Sequence, residues 1–304
     1  MKPDIATTLN RIRLRTPTIL SAGILGISAA TLRRAVDFGA GAVVTKSVGL
    51  KPRAGHPGPN IVEAPSGLLN AMGLPNPGIR QMSREIQRLA DDKVTVIASV
   101  YGFSPRDYAL VACEASSAGA LAVELNISCP TVGKIGREIG QDAEMVAKTV
   151  RAVKAKVDRP VFVKLSPNVT DIVEIAEASA KSGADGVTAI NTVRGMAIDV
   201  ETMMPVLGAK VGGLSGPAIK PIALRCVYEL YKSLKIPIVG CGGIVSWKDA
   251  VEFLLAGATS VQIGTGVMHR GLTIFKEVNE GIASYMRNRR FQRLQQLVGL
   301  AHRR

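Results

Sequence analysis

A chain of 304 residues with 47% hydrophobic but only 4% aromatic residues is globular, rich in small aliphatic side chains and long enough to bury a sizeable core. Lys and Arg outnumber Asp and Glu, 38 against 24, but the net charge of +14 is spread along the chain without interleaved aromatics, which argues against a nucleic-acid surface and for tolerance of anionic ligands. The four cysteines, at 113, 129, 226 and 241, form no CxxC pair and have no histidine cluster beside them, which argues against a metal or iron–sulfur site built on this chain alone.

In chain order, a basic N-terminus leads into PTILSAGILGISAA at 17–30, which has the outline of a signal peptide. Two glycines interrupt the run and it is too short to span a membrane, so it reads as a first strand and glycine turn of a soluble, cytoplasmic protein. Short apolar runs then alternate with amphipathic stretches to the end. Strands are expected at 18–22, 41–45, 94–100, 121–126, 160–165, 186–191, 236–240 and 260–263. Helices are expected near 28–38, 78–90, 105–119, 141–157, 170–182, 217–234, 246–256 and 266–286. Continuous runs such as Val161 to Leu165 suit strands covered on both faces. Eight strand–helix units predict an α/β fold, a (β/α)8 TIM barrel, with a doubly wound sheet as the alternative. No linker divides the chain, so residues 1–304 read as a single domain with short N-terminal and C-terminal extensions, the latter from about 287.

Three connections are long: 46–77, 128–140 and 192–216. All follow strands, which puts them on the carboxyl-terminal face, where barrels keep their chemistry. On that face Gly240-Cys241-Gly242-Gly243 and Gly264-Thr265-Gly266 each open a helix at the seventh and eighth strands. Glycines let backbone N–H groups approach a phosphate, although each cluster alone could be a tight turn. Gly-Gly-Leu-Ser-Gly-Pro at 212–217 adds a third such turn, with Pro217 suited to a first helical position. Lys164 lies in an apolar strand, where an unpaired cation is costly, so an anionic partner is implied. Lys46 makes the same argument at the second strand end, unless it simply reaches solvent. NAMGLPN at 70–76 has neither period and suits a loop over a planar polar ligand.

The segment Glu124-Leu-Asn-Ile-Ser-Cys129-Pro130 presents a thiol just past a strand end. Most lone cysteines are small buried hydrophobes, and Cys113, Cys226 and Cys241 are read that way. Cys129 differs in its company, since Lys46, Asn70, Asn126, Lys164 and Asn191 all sit at or just past other strand ends. There is no GxGxxG at the first βα turn, no Walker sequence, no HExxH and no Ser/His/Asp arrangement, and the three histidines offer no clear base. A phosphate-bearing cofactor, a thiol base and amides for a planar ligand together suggest flavin redox chemistry.

These residues resemble the class 1 dihydroorotate dehydrogenases, FMN enzymes of pyrimidine (UMP) synthesis. TKS, NAMGLPN, ELNISCP, VKLSPN, INT, GGLSGPAIKP, GCGGI and QIGT occur in the family's order over almost the whole chain. The resemblance implies that Cys129 removes the C5 proton of dihydroorotate while hydride passes from C6 to flavin N5. FMN would be bound by Ala22, Lys46, Ser47, Ser99, Asn126, Lys164, Ile190, Gly216, Gly242, Gly243, Gly264 and Thr265. Lys164 would lie beside the flavin N1/O2 edge. The substrate, dihydroorotate or orotate, would be bound by Lys46, Asn70, Ala71, Met72, Gly73, Leu74, Asn126, Asn191 and Thr192.

Three departures from the family pattern stand out: Ser21-Ala22-Gly23 for Ala-Ser-Gly, Ser99 for an asparagine, and Thr131 for the asparagine after Cys-Pro. Cysteine rather than serine at 129 argues for class 1. Within class 1, the Asn-Ile-Ser-Cys-Pro wording and the glycine-bearing segment 133–140 resemble the class 1B branch, which pairs its FMN subunit with an FAD/[2Fe-2S] subunit in a heterotetramer and reduces NAD. The class 1A branch forms homodimers that reduce fumarate; a homodimer, or a heterotetramer with the FAD/[2Fe-2S] subunit, is expected here. The other readings are a dihydropyrimidine dehydrogenase-type flavin barrel and a non-redox barrel that binds a phosphate ester. No nucleic acid, membrane or metal partner is expected.

Overall fold

Eight short strands, buried along almost their whole length, close a parallel barrel in the computed structural model, which describes residues 3–128 and 139–303. They are β1 (Thr18–Leu20), β2 (Ala42–Val44), β3 (Val96–Val100), β4 (Ala122–Asn126), β5 (Val161–Leu165), β6 (Gly186–Ala189), β7 (Ile238–Cys241) and β8 (Ser260–Ile263). Each pairs with the next, and β8 returns to β1. The helices between them are α1 (Ala29–Asp37), α2 (Ile79–Asp91), α3 (Pro105–Ser117), α4 (Ala143–Lys154), α5 (Ile172–Lys181), α6 (Lys220–Ser233) and α7 (Trp247–Ala256). Ser28, Ser104, Asp142, Asp171 and Ser246 stand just before α1, α3, α4, α5 and α7, and each side chain accepts a first-turn N–H. The barrel is therefore the fold, and the doubly wound alternative falls.

The last helical pattern divides. α8 (Thr265–Arg270) stops at Gly271, whose φ of 67° is left-handed, and α9 (Ile274–Asn288) follows, so a single helix over 266–286 is corrected to two.

The sequence reading also missed an N-terminal hairpin, Thr7–Leu9 with Ile12–Leu14, turned by Asn10 at φ 53°. Its alternating pattern sends Leu9, Ile12 and Leu14 into the amino-terminal end of the barrel. There they pack with Ile19, Ala42, Val44, Ile97, Ala122, Phe162 and Val239. Gly186 makes room for Phe162, since a Cβ on it would stand 2.3 Å from the ring.

Two of the long connections are not irregular loops. Residues 61–70 and 193–215 pair as an antiparallel four-stranded sheet in the order Val193–Gly195, Gly212–Ser215, Gly67–Asn70, Ile61–Ala64. This sheet joins the excursions after β2 and β6. Strands of three or four residues rich in glycine carry too little alternation to be seen in sequence.

Candidate active site

The barrel interior changes character toward its carboxyl-terminal end. Above the apolar plug, Ser21, Ser99, Glu124, Lys164, Thr188, Cys241 and Gln262 are all buried and polar or thiol-bearing. Lys164 Nζ, 6% exposed as a residue, donates to Gln262 Oε1 at 3.0 Å and Ser21 Oγ at 3.3 Å, and lies 3.8 Å from Cys241 Sγ and from Glu124 Oε1. Gln262 Nε2 and Thr188 Oγ1 donate to Glu124 Oε2 at 2.6 and 2.8 Å. Burial opposes the Lys164 charge, but Cys241 and Glu124 outweigh it and hold its pKa above the ordinary lysine value. Its anionic partner is thus supplied by the chain itself. Cys241 is corrected too: it is not an inert apolar cysteine but a member of this polar layer. The hydroxyl absent at Ala22 is present one residue earlier, and strand alternation turns Ser21 inward onto Lys164.

A second polar row crosses the mouth. Ser99 Oγ, fully buried, meets Ser47 Oγ at 2.9 Å, and Asn126 Nδ2 donates to Ser47 Oγ at 3.0 Å. Asn191 Nδ2 donates to Asn126 Oδ1 at 3.2 Å and to Ser128 Oγ at 2.9 Å. The Tyr108 hydroxyl donates to the Asn126 carbonyl at 2.7 Å and pins the strand end. Ser99 therefore reaches Asn126 through Ser47. Cys129 follows Ser128 in sequence but lies outside the described residues, as do Thr131 and positions 129–138 of the expected lid.

Lys46, next to Ser47, is half-buried, and its ammonium makes no hydrogen bond or ion pair among the described residues. Burial alone pulls its pKa below the ordinary value. An uncompensated half-buried cation beside a row of amides is a receptor for an anion.

Asn70 ends its strand with Nδ2 bonded to the Gly213 carbonyl at 3.1 Å, and Ala71 to Leu74 run on half-buried. The loop is held from behind. His56 N donates to Met72 O at 3.0 Å, Arg53 Nε to Gly73 O at 2.7 Å, and Asn76 Nδ2 to Leu74 O at 2.9 Å. Asn168, in VKLSPN, orders the other rim, with Nδ2 on the Thr192 carbonyl at 3.1 Å and Oδ1 on Arg194 N at 2.9 Å. Sequence reasoning quoted the motifs of Asn76 and Asn168 without giving either residue a task. Glu124, Thr188 and Gln262 it missed, although a polar residue within a buried strand is the signal that singled out Lys164.

The glycine turns fit a phosphate-bearing cofactor. Gly216, Gly242 and Gly243 take φ of 94°, 130° and 77°, in the region glycine favours, so no Cβ stands between their backbone and a bound phosphate. Lys220 packs under this turn, since a Cβ on Gly243 would stand 2.7 Å from its Cβ. Thr265 Oγ1 donates to Ser215 Oγ at 2.8 Å, tying the end of β8 to the covering sheet, and Ile190 N donates to Cys241 O at 2.8 Å, joining the ends of β6 and β7. Gly264 precedes α8, and Ala22 is half-buried at the end of β1. A hollow of about 580 Å³ lined by Arg11, Cys113, Lys156 and Arg159 lies near the N-terminal hairpin and holds none of these residues.

Residues 4–286 match the family model described as dihydroorotate dehydrogenase. The chain is similar to relatives named "Dihydroorotate dehydrogenase B (NAD(+)), catalytic subunit". It is 50% identical to that of Pyrococcus abyssi over 95% of this chain and 96% of the relative. Identity to the Pyrococcus horikoshii protein is 50% over 99% of each chain, and to that of Methanocella arvoryzae 47% over 96% of each.

Proposed function

The chain belongs to the dihydroorotate dehydrogenase family, and from that premise we propose that it is the catalytic subunit of an enzyme that oxidises dihydroorotate to orotate in pyrimidine synthesis. The family is flavin-dependent, and the cofactor proposed here is FMN, its phosphate on the turns at Gly216, Gly242–Gly243 and Gly264–Thr265. Bound there, FMN supplies the hydride acceptor. The relatives' name, a catalytic subunit of an NAD(+) enzyme, supports passage of electrons to NAD through a partner subunit, for which we propose an FAD/[2Fe-2S] protein and a heterotetramer built on a homodimer of this chain.

The observation that carries the reading is the uncompensated cation of Lys46 beside the Asn126–Asn191 amide row. Dihydroorotate is a carboxylate on a ring with amide edges. The ammonium of Lys46 meets its negative charge, while Asn126, Asn191, Asn70 and the backbone of Ala71–Leu74 hold the ring by its polar edge. Thr192 lies at the same rim. Cys129 is the proposed base: its thiolate takes the C5 proton and becomes the thiol as hydride leaves C6. Lys164, beneath, favours electron density arriving on the flavin edge.

Titrating the FMN-loaded protein with orotate and, separately, uracil tests the carboxylate requirement. Orotate is expected to perturb the flavin spectrum at concentrations where uracil does not. Equal perturbation by uracil would favour a dihydropyrimidine-type ligand and sink the assignment.

A further inference from the structure

Glu124 has no task in the chemistry above, yet it is 1% exposed at the centre of the barrel. Oε2 takes both donors, from Thr188 and Gln262, whereas Oε1 has no hydrogen-bond partner among the described residues and faces Lys164 Nζ at 3.8 Å. A buried carboxylate is tolerated only when paired.

Gln262 is the hinge of the arrangement. Its amide nitrogen is committed to Glu124, which turns its carbonyl oxygen toward Lys164 Nζ at 3.0 Å and Ser21 Oγ at 3.1 Å. If the carboxylate were absent, nothing on that side would prefer the nitrogen over the oxygen. The lysine's position thus depends on Glu124 at one remove, and its field depends on Glu124 directly, because a unit negative charge stands beside the cation in a dry layer.

We propose that Glu124 is a positioning residue for flavin reduction: through Gln262 it fixes where the Lys164 ammonium stands, and its charge cancels part of that cation's pull on the bound flavin. The inference rests on the FMN reading above. Reduction adds negative charge to the flavin, so removing the carboxylate's charge leaves Lys164 less compensated and favours the reduced form.

The test is the midpoint potential of bound FMN, measured by dye equilibration without substrate. Glu124→Gln keeps the shape and is expected to raise the reduced-to-oxidised ratio at fixed potential about tenfold or more, or about 30 mV for a two-electron couple. Glu124→Asp keeps the charge and is expected to leave the potential near wild type. Should Glu124→Gln fail to fold, the neutral pair Glu124→Gln/Lys164→Met removes both buried charges, and its potential is expected to lie above that of Lys164→Met alone. A yellow Glu124→Gln protein with the wild-type potential, or equal potentials in the second comparison, overturns this proposal and leaves the FMN reading standing. A wild-type protein that takes up no FMN overturns the FMN reading and this proposal with it.

Discussion

Lys46 and Lys164 answer the cost of a sequestered cation in opposite ways. Lys164 is surrounded by acceptors and a carboxylate, and its pKa is raised against burial. Lys46 has no such company among the described residues, and burial lowers its pKa. A lysine binds an anion only when protonated, so orotate affinity is expected to fall as pH rises through a value below the ordinary lysine range. Calorimetric titration in a Cys129→Ala background, where thiol ionisation cannot contribute, checks this. Lys46→Arg, which stays charged, should abolish that fall, and a Lys46→Arg profile identical to that of the lysine protein would remove Lys46 from its role. Both lysines were legible in the sequence, Lys164 as a cation within an apolar strand and Lys46 as one at a strand end. What surrounds Lys164 was not, because Glu124, Cys241 and Gln262 come from three different strands and Ser21 from the end of a fourth. Alternation says which residues point inward, not which of them meet.

At the scale of elements, Lys220 of α6 bonds Asp249 at 2.7 Å and Glu252 at 2.9 Å, and Asp249 in turn accepts from Val245 N and Ser246 N at the start of α7. This clasp holds the glycine turn 242–243 between two helices. Burial opposes the Asp249 charge, but Lys220, Ser246 and the Val245 N–H outweigh it and depress its pKa. A depressed carboxylate stabilises the fold above its unfolded pKa, and that contribution is lost as pH falls through the folded value. The Lys220 pKa is raised, first by its bond to Asp249, so its share is complete below the ordinary lysine value and lost as pH rises through the folded one. Asp249→Asn should therefore cost about 1.5–3 kcal/mol in denaturant unfolding at neutral pH. The difference should vanish in acid, once the wild-type carboxylate is also protonated, and a pH-independent difference would contradict the clasp. The barrel strands themselves were legible within a few residues, because continuous apolar runs mark strands covered on both faces. The N-terminal hairpin and the sheet over the mouth were not, since strands of three or four residues are too short to show a period, and the central pairing of the sheet joins segments more than a hundred residues apart.

For the whole molecule, the barrel divides its two tasks between its ends. Leu9, Leu14, Ile19, Val44, Ile97 and Phe162 fill the amino-terminal half with apolar volume. The carboxyl-terminal half holds a charged layer, an amide row and glycine turns, under a sheet woven from two excursions. Among the described residues no helix is long and apolar enough to cross a membrane. The division explains how a buried ion pair is tolerated at the site: the apolar half fixes the strands, and the strands fix the charges. We propose that this layer, together with the Cys129 thiol, removes a proton and a hydride from dihydroorotate. The most direct test is anaerobic rapid mixing of the FMN-loaded protein with dihydroorotate, followed by flavin absorbance. The flavin is expected to bleach in a single turnover at a rate that rises with pH as a thiol of ordinary pKa about 8.5 ionises. Cys129→Ala should still bind orotate while bleaching about a hundredfold or more slower. No bleaching by dihydroorotate in the wild type, or an unchanged rate in Cys129→Ala, would contradict the account.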